Sequence, residues 1–273
     1  MSRSSPSEEA AGDKGVVTYK LKLSYDGTNY HGWQRQPDRR TVQGALEDAI
    51  FKITRRRVAV SGAGRTDAGV HALEQIAGFR LRPSMGIRKF FRALNSVLPP
   101  DIRITSLAKA PAGFHPRKSA RSKVYEYRIL NAPRVDPFRL RFVLHWPRRL
   151  DLRAMKQAAV LFEREADFSA FASNRELQPV RTVVRSRLRR KGDEIVYTVK
   201  ADGFLRYMVR TMVGTLLEVG RGKIPPEKVE VLFLEKRRTP HSPTAPAKGL
   251  CLVKVFYSPR TRPMTEASSR GLV

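Results

Sequence analysis

Apolar side chains at every second position mark strands in this chain, and apolar side chains three and four residues apart mark helices. In residues 16–25, Val17, Tyr19, Leu21, Leu23 and Tyr25 alternate with Thr18, Lys20, Lys22 and Ser24. That pattern predicts a half-buried strand, closed by the turn pair Asp26-Gly27. Residues 29–36, Asn-Tyr-His-Gly-Trp-Gln-Arg-Gln, have no helical period and read as an aromatic, basic loop. Thr41 then caps a predicted helix over 42–54, with Val42, Leu46, Ala49, Ile50 and Ile53 on one face. Arg55, Arg56 and Arg57 end it, where cations suit the helix dipole. Residues 58–60 and 70–81 predict two strands. Ser84 opens a helix through Phe90, Phe91, Leu94 and Leu98 that stops at Pro99-Pro100, and 102–107 predict a strand. The order is β-α-β-β-α-β.

From about residue 110 the pattern starts again. Strand alternation at 122–130 is followed by a helix opened by Asp151 and running through Met155, Ala159 and Phe162. Residues 180–190 and 195–201 flank Lys191-Gly192-Asp193-Glu194 as a hairpin. A helix over 206–219 ends at Gly220, Pro225-Pro226 begins another reaching Leu234, and 250–257 form the last strand. The expected fold class is α+β. It consists of two ferredoxin-like (βαββαβ-type) halves with antiparallel sheets side by side, helices on one face and a basic cleft on the other. The division is a tail at 1–15, an N-terminal subdomain at 16–110 carrying the glycine-rich loop described below, a C-terminal subdomain at 111–258, and a tail at 259–273.

Charge changes the picture most. The 273 residues hold 53 Lys and Arg against 25 Asp and Glu, a formal net charge of +28. Residues 1–14 hold two cations and three anions, so the body carries the excess. Residues 15–112 have 17 cations against 7 anions, and residues 113–273 have 34 against 15. A thermophile-type surface would raise acids alongside bases. A one-sided excess predicts a polyanionic partner held through phosphates. No run approaches the ~20 apolar residues of a membrane helix, and the N-terminus lacks an apolar signal core, so the expected location is the cytoplasm without membrane attachment. The single cysteine, Cys251, lies in the alternation Leu250-Cys251-Leu252-Val253 and reads as a small core residue. It excludes an internal disulfide and a cysteine zinc site.

The densest chemistry lies in residues 61–71, Ser-Gly-Ala-Gly-Arg-Thr-Asp-Ala-Gly-Val-His. Three glycines there suit a tight turn that presents Arg65 and Asp67 at close range. The loop does not cradle a nucleotide. Asp67 stands where a dinucleotide fingerprint needs glycine, and Val70-His71 stand where a Walker loop needs Lys and Ser or Thr. Asp67 and His71 at i, i+4 lack a third metal ligand. The plain reading of Asp67 is an Asx-turn or a cap, and the functional one is a catalytic carboxylate. A neighbouring cation would lower its pKa by about 1–3 units and keep it anionic. Arg210, sharing a helix face with Arg206 and Gly214, is either that cation or part of a solvated basic face. Tyr125 is either a core aromatic or a platform for an unpaired base.

Several motifs in order extend this reading. They are Tyr25-Asp26-Gly27-Thr28 with Gly32-Trp33-Gln34, Gly64-Arg65-Thr66-Asp67-Ala68-Gly69-Val70-His71-Ala72, Phe114-His115-Pro116-Arg117, and Tyr125-Glu126-Tyr127. Asp167-Phe168-Ser169-Ala170-Phe171, Met208-Val209-Arg210 and Gly249-Leu250 follow. Over about residues 17–257 the chain resembles the tRNA pseudouridine synthase A family. The resemblance implies isomerisation of uridine to pseudouridine at positions 38, 39 and 40 of the tRNA anticodon stem-loop, by a homodimer, with no cofactor and no metal. It implies Asp67 as nucleophile, attacking C1′ or C6 or else removing the C2′ proton. Arg65 would displace the target base, Tyr125 stack on it, and Arg210 pair with Asp67. Leu250 would line the pocket, and Arg117 would contact substrate. Pro116 departs from the alanine common there. Two other classes are a non-catalytic RNA-binding or ribosome-assembly module on the same fold, and a metal-dependent nuclease, which requires clustered carboxylates.

Overall fold

The computed structural model describes residues 15–111, 113–173 and 177–257. Apart from Gly15, the two predicted tails lie outside the described residues. Ten strands and five α-helices stand among those described. They are β1 (Val17–Tyr25), α1 (Val42–Thr54), β2 (Ser61–Gly62), β3 (His71–Leu81), α2 (Ile87–Val97) and β4 (Ile102–Lys109), then β5 (Ala120–Leu130), β6 (Leu144–His145) and α3 (Leu152–Val160). The remaining elements are β7 (Glu165–Asp167), β8 (Val180–Lys191), β9 (Glu194–Ala201), α4 (Met208–Gly220), α5 (Lys228–Glu235) and β10 (Leu250–Tyr257). None of the described helices is long and apolar enough to cross a membrane.

Capping explains several helix starts. Thr41 accepts a hydrogen bond from the Gly44 amide at α1, and Asp151 accepts from Ala154 at α3. Arg55 ends α1 in the left-handed region, with its amide bonded to the Phe51 carbonyl. Two predicted starts shift. Gly86, not Ser84, precedes α2, and α4 begins at Met208 after Tyr207, whose φ of 65° breaks the helix before Arg206. Arg206 therefore stands in a turn and not on the helix face that the spacing assigned to it. The strand expected at 58–60 is absent. The Val60 amide donates to Glu47 Oε1 on α1, which takes it out of any ladder, and β2 is only Ser61–Gly62.

The expected pair of antiparallel sheets is a single mixed sheet with the strand order β4-β1-β3-β10-β5-β9-β8-β7, β2 pairing with β3 and β6 with β5. The strands of residues 17–109 stand in the order β4-β1-β3-β2, and those of 120–257 in the corresponding order β10-β5-β9-β8, so the two stretches share one winding. Where they meet, β3 and β10 pair in parallel over Cys251↔His71 and Leu252↔Ala72. A parallel pair is entered from the same end by both strands. The loop before β3 and the segment before β10 are therefore neighbours.

The sheet has unlike faces. Tyr19, Leu21, Leu23 and Tyr25 of β1 are buried, while Lys20 and Lys22 point to the other side. Tyr19 meets Phe90 of α2 edge to face at 5.8 Å, which places this helix on the buried face. Thr66, one residue before Asp67, bonds to Tyr25 Oη on that same face at 2.9 Å. The glycine-rich loop therefore sits on the helix-bearing side, and the expectation of a cleft on the opposite face is corrected. The reason is topological: loop and helices both leave the strands on the side where β1, β3 and β5 turn their apolar residues.

Close approach at Gly62 sets the loop's height. A Cβ there would come within 2.5 Å of the buried Trp33 indole, whereas a Cβ at Gly64 would meet Lys123 Cε and Tyr125 Oη at an ordinary 3.6 Å. Gly62→Ala is expected to cost about 1–3 kcal/mol by overpacking, and Gly64→Ala less than about 1 kcal/mol. Urea unfolding with unchanged m-values checks both. Equal losses in the two variants would contradict the packing account.

Candidate active site

The loop of residues 61–70 is fastened from two directions. The Ala63 amide donates to the Ile76 carbonyl at 2.7 Å, and Gln75 Nε2 donates to the Gly64 carbonyl at 2.8 Å, both from β3. The aromatic loop grips the other end: the Trp33 amide donates to the Thr66 carbonyl at 3.0 Å, and the Gly69 amide to the Tyr30 carbonyl at 3.2 Å. Gly69 has φ +77°, a left-handed conformation that glycine adopts without strain, and its Cα faces Ala247 just before β10. Two segments that read separately in the sequence, 25–34 and 64–71, thus form one rigid piece.

Asp67 is held at the tip of this piece. Its Oδ2 accepts from Arg210 Nη1 at 3.2 Å, and the two side chains are 20% and 16% exposed. Arg210 Nε donates to the Ala245 carbonyl at 2.8 Å, so one guanidinium joins α4, the segment before β10 and the loop before β3. The ring of Tyr207 lies 4.8 Å from the same guanidinium, giving it an aromatic wall. Burial raises the Asp67 carboxyl above the usual carboxylate range, and the charge and hydrogen bond of Arg210, with the charge of Arg206, offset that only in part. This corrects the expectation of a lowered pKa: the desolvation of a mostly covered carboxylate outweighs its cation.

The other residues singled out fall into two groups. Tyr125, on β5 beneath the loop, is 6% exposed and meets Phe204 edge to face at 5.1 Å. Burial, then the charges of Tyr25, Asp67 and Cys251, raise its hydroxyl, which stays neutral. Leu250 is buried at the start of β10 opposite Tyr127, whose hydroxyl donates to the Pro246 carbonyl at 2.8 Å. Arg65 is exposed beside Asp67 and makes no hydrogen bond or ion pair among the described residues. Arg117 is also exposed, on the loop leading to β5. Pro116 packs its ring against Gly78 of β3, and its carbonyl accepts from Tyr257 Oη, so the departure at this position is absorbed in packing.

Other reactive types have structural duties. His71 Nδ1 accepts from the Gly27 amide at 3.1 Å, which leaves Nε2 to donate to the Arg141 carbonyl at 2.9 Å. Among the described residues no group of three or more His, Cys, Asp or Glu could hold a metal. Cys251 is half-buried rather than fully in the core, and burial pushes its thiol up to about 12. Phe204, Tyr207 and Lys123 were not singled out from the sequence. For Lys123 the signal was present, since it stands two positions before Tyr125 and so on the same face of the strand. For Phe204 and Tyr207 only the turn into α4 brings them to the site.

The site therefore offers one carboxylate clasped by an arginine, a neutral aromatic floor and an unpaired arginine at the rim. A model described as tRNA pseudouridine synthase matches residues 23–117 and 158–258. Over 249 residues the chain is 46% identical to a tRNA pseudouridine synthase A of Frankia casuarinae, covering 90% of this chain and 91% of that protein. It is 43% identical over 247 residues to one of Methylacidiphilum infernorum, covering 89% and 97%. It is 41% identical over 254 residues to one of Thermodesulfovibrio yellowstonii, covering 89% and 100%. With matches of this extent across both halves of the sheet and the site between them, the chain belongs to the tRNA pseudouridine synthase A family of isomerases.

Proposed function

We propose that this protein isomerises uridine to pseudouridine at positions 38, 39 and 40 of the tRNA anticodon stem-loop, with Asp67 as the nucleophile. Membership of the family supports the reaction class, and the net charge of +28 supports a nucleic-acid substrate. The observation that carries the assignment of Asp67 is its 3.2 Å contact with Arg210, close enough to Tyr125 for the charge of Asp67 to act on its hydroxyl. The target nucleotide leaves its stack, which costs a few kcal/mol and least where the base is in a loop or at its junction. Its base stacks on Tyr125, and Arg65, unpaired at the rim, fills the space left behind. Asp67 attacks the nucleoside and the N1–C1′ bond breaks. The detached uracil turns within the pocket, C5 bonds to C1′, and the bond that Asp67 formed to the nucleoside breaks, which returns its carboxylate. The proton on C5 is then lost, and N1 ends protonated, so no atom is gained or lost overall. The Asp67 carboxylate must be ionised for this, and Arg210 limits the cost of ionising it.

Tritium release from C5-labelled uridine in tRNA checks the role directly. Asp67→Ala is expected to bind tRNA within about threefold of wild type and to release no tritium above background; release by that variant would sink the nucleophile assignment.

The acid limb of kcat/KM tests the electrostatics. The folded protein holds the Asp67 proton more tightly than the unfolded chain does. Activity therefore falls as pH drops through a pKa above that of an ordinary aspartate, while the contribution of this group to stability rises over the same window. Removing the cation in Arg210→Ala is expected to move residual activity's acid limb up by roughly 1–3 pH units. An unmoved limb would show that Arg210 does not set the ionisation of Asp67.

Exposed cations have a different signature. Arg55→Ala and Arg56→Ala are expected to raise Kd and lower the salt dependence of binding by about one phosphate contact each, leaving kcat within about twofold. Arg210→Ala is expected to lower kcat by at least tenfold with little change in Kd. Parallel losses of affinity in the two classes would overturn the division.

A further inference from the structure

Lys123 is out of place by the ordinary rules of burial. It is 8% exposed, yet among the described residues no hydrogen bond or ion pair holds its ammonium. Lysines are almost never buried without a partner, because the uncompensated charge is expensive. Its surroundings make matters worse. Burial is the first cause lowering its pKa, the charge of Arg117 is next, Arg181 adds to it, and only Asp202 opposes them. The ammonium still touches solvent, since among the described residues the fully enclosed unpartnered side-chain atoms are Gln75 Oε1, Trp146 Nε1 and Ser173 Oγ. The charges of Arg117 and Arg181 thus reach a buried ammonium that has no hydrogen-bond or ion-pair partner of its own among the described residues.

The location gives that missing partner a meaning. Lys123 and Tyr125 lie on the same face of β5, about 7 Å apart along the strand. Lys123 Cε and Tyr125 Oη stand equally near Gly64 of the Asp67 loop, each 3.6 Å from where its Cβ would be. A nucleotide whose base stacks on Tyr125 and whose C1′ meets Asp67 carries its phosphodiester only a few bonds from that carbon.

We infer that Lys123, with Arg117 and Arg181 beside it, is the anion site that takes one of the two phosphodiesters flanking the target uridine and so sets the register of the flipped nucleotide over Asp67. This rests on the isomerase reading of the site. It assigns a positioning role to a lysine that the folded protein holds at a cost until RNA binds. It also gives Arg117 its contact with substrate, at the backbone and away from the base. The phosphate would supply the counter-charge that this buried ammonium lacks, which couples nucleotide entry to the electrostatics of the pocket.

The test is a cycle between protein and RNA. Full-length wild type, Lys123→Met and Lys123→Gln are titrated against anticodon-arm RNA with a single methylphosphonate 5′ or 3′ of the target uridine. The adjacent sugar is 2′-O-methylated, and the 2′-O-methyl diester RNA is the reference. Wild type is expected to lose about tenfold in affinity with one of the two methylphosphonates. The variants are expected to bind the reference about tenfold more weakly and to lose nothing further at that position, with a salt slope smaller by about 0.7. Both should melt at or above the wild-type temperature, because an unpaired buried charge has been removed. Variants as sensitive as wild type at both phosphates, or a wild type indifferent to both, would overturn the inference. A protein that shows the binding cycle but forms no pseudouridine in any tRNA would sink the isomerase reading and leave the phosphate site standing.

Discussion

The ion pair between Asp67 and Arg210 joins residues 143 positions apart, and the geometry of the site depends on it. A mostly covered carboxylate loses more in desolvation than its cation returns, which is why its pKa lies above the usual range. Such a pair is a poor stabiliser, and on the proposed reading it poises the nucleophile. Removing either partner would leave the other half-dehydrated without compensation. Arg210 is itself fixed by the Ala245 carbonyl and the Tyr207 ring, so the carboxylate is offered a cation that is already oriented.

The parallel junction of β3 and β10 makes that geometry possible. Because both strands are entered from the same end, the loop carrying Asp67 and the segment carrying Ala245 arrive side by side, and α4 needs only to lay Arg210 across them. An antiparallel junction would have put these two segments at opposite ends of the sheet. The repeated winding in the two halves has a similar consequence. Each contributes an apolar face that continues the other's, so the helices and the site share one side while Lys20 and Lys22 look out from the other.

The surface charge and the local frustration belong together. Lys123, buried without a partner among the described residues, is a feature that a stability-driven sequence would lose, and it stands with Tyr125 beside Gly64 of the Asp67 loop. Native sequences break the rules of burial where a ligand completes them. On the proposed reading, an RNA phosphate completes Lys123, and the rest of the basic body would supply the sequence-independent attraction.

Alternation of apolar and polar residues by itself determined most strands, because a two-residue period is a local property that burial on one face imposes. Thr41 and Asp151 were legible as caps for the same reason, and the ordered motifs were enough to place the chain in its family. It failed where a distant group took over a local one. Glu47 captured the Val60 amide and erased a predicted strand, and the left-handed turn at Tyr207 moved Arg206 off its helix. Only the tertiary structure decided that two expected sheets are one, that the site lies on the helix-bearing face, and that Asp67 is less acidic than its arginine alone would make it. These are properties of burial and of parallel entry into a shared sheet. They depend on which segments meet across more than a hundred residues, and no local pattern in the chain encodes that.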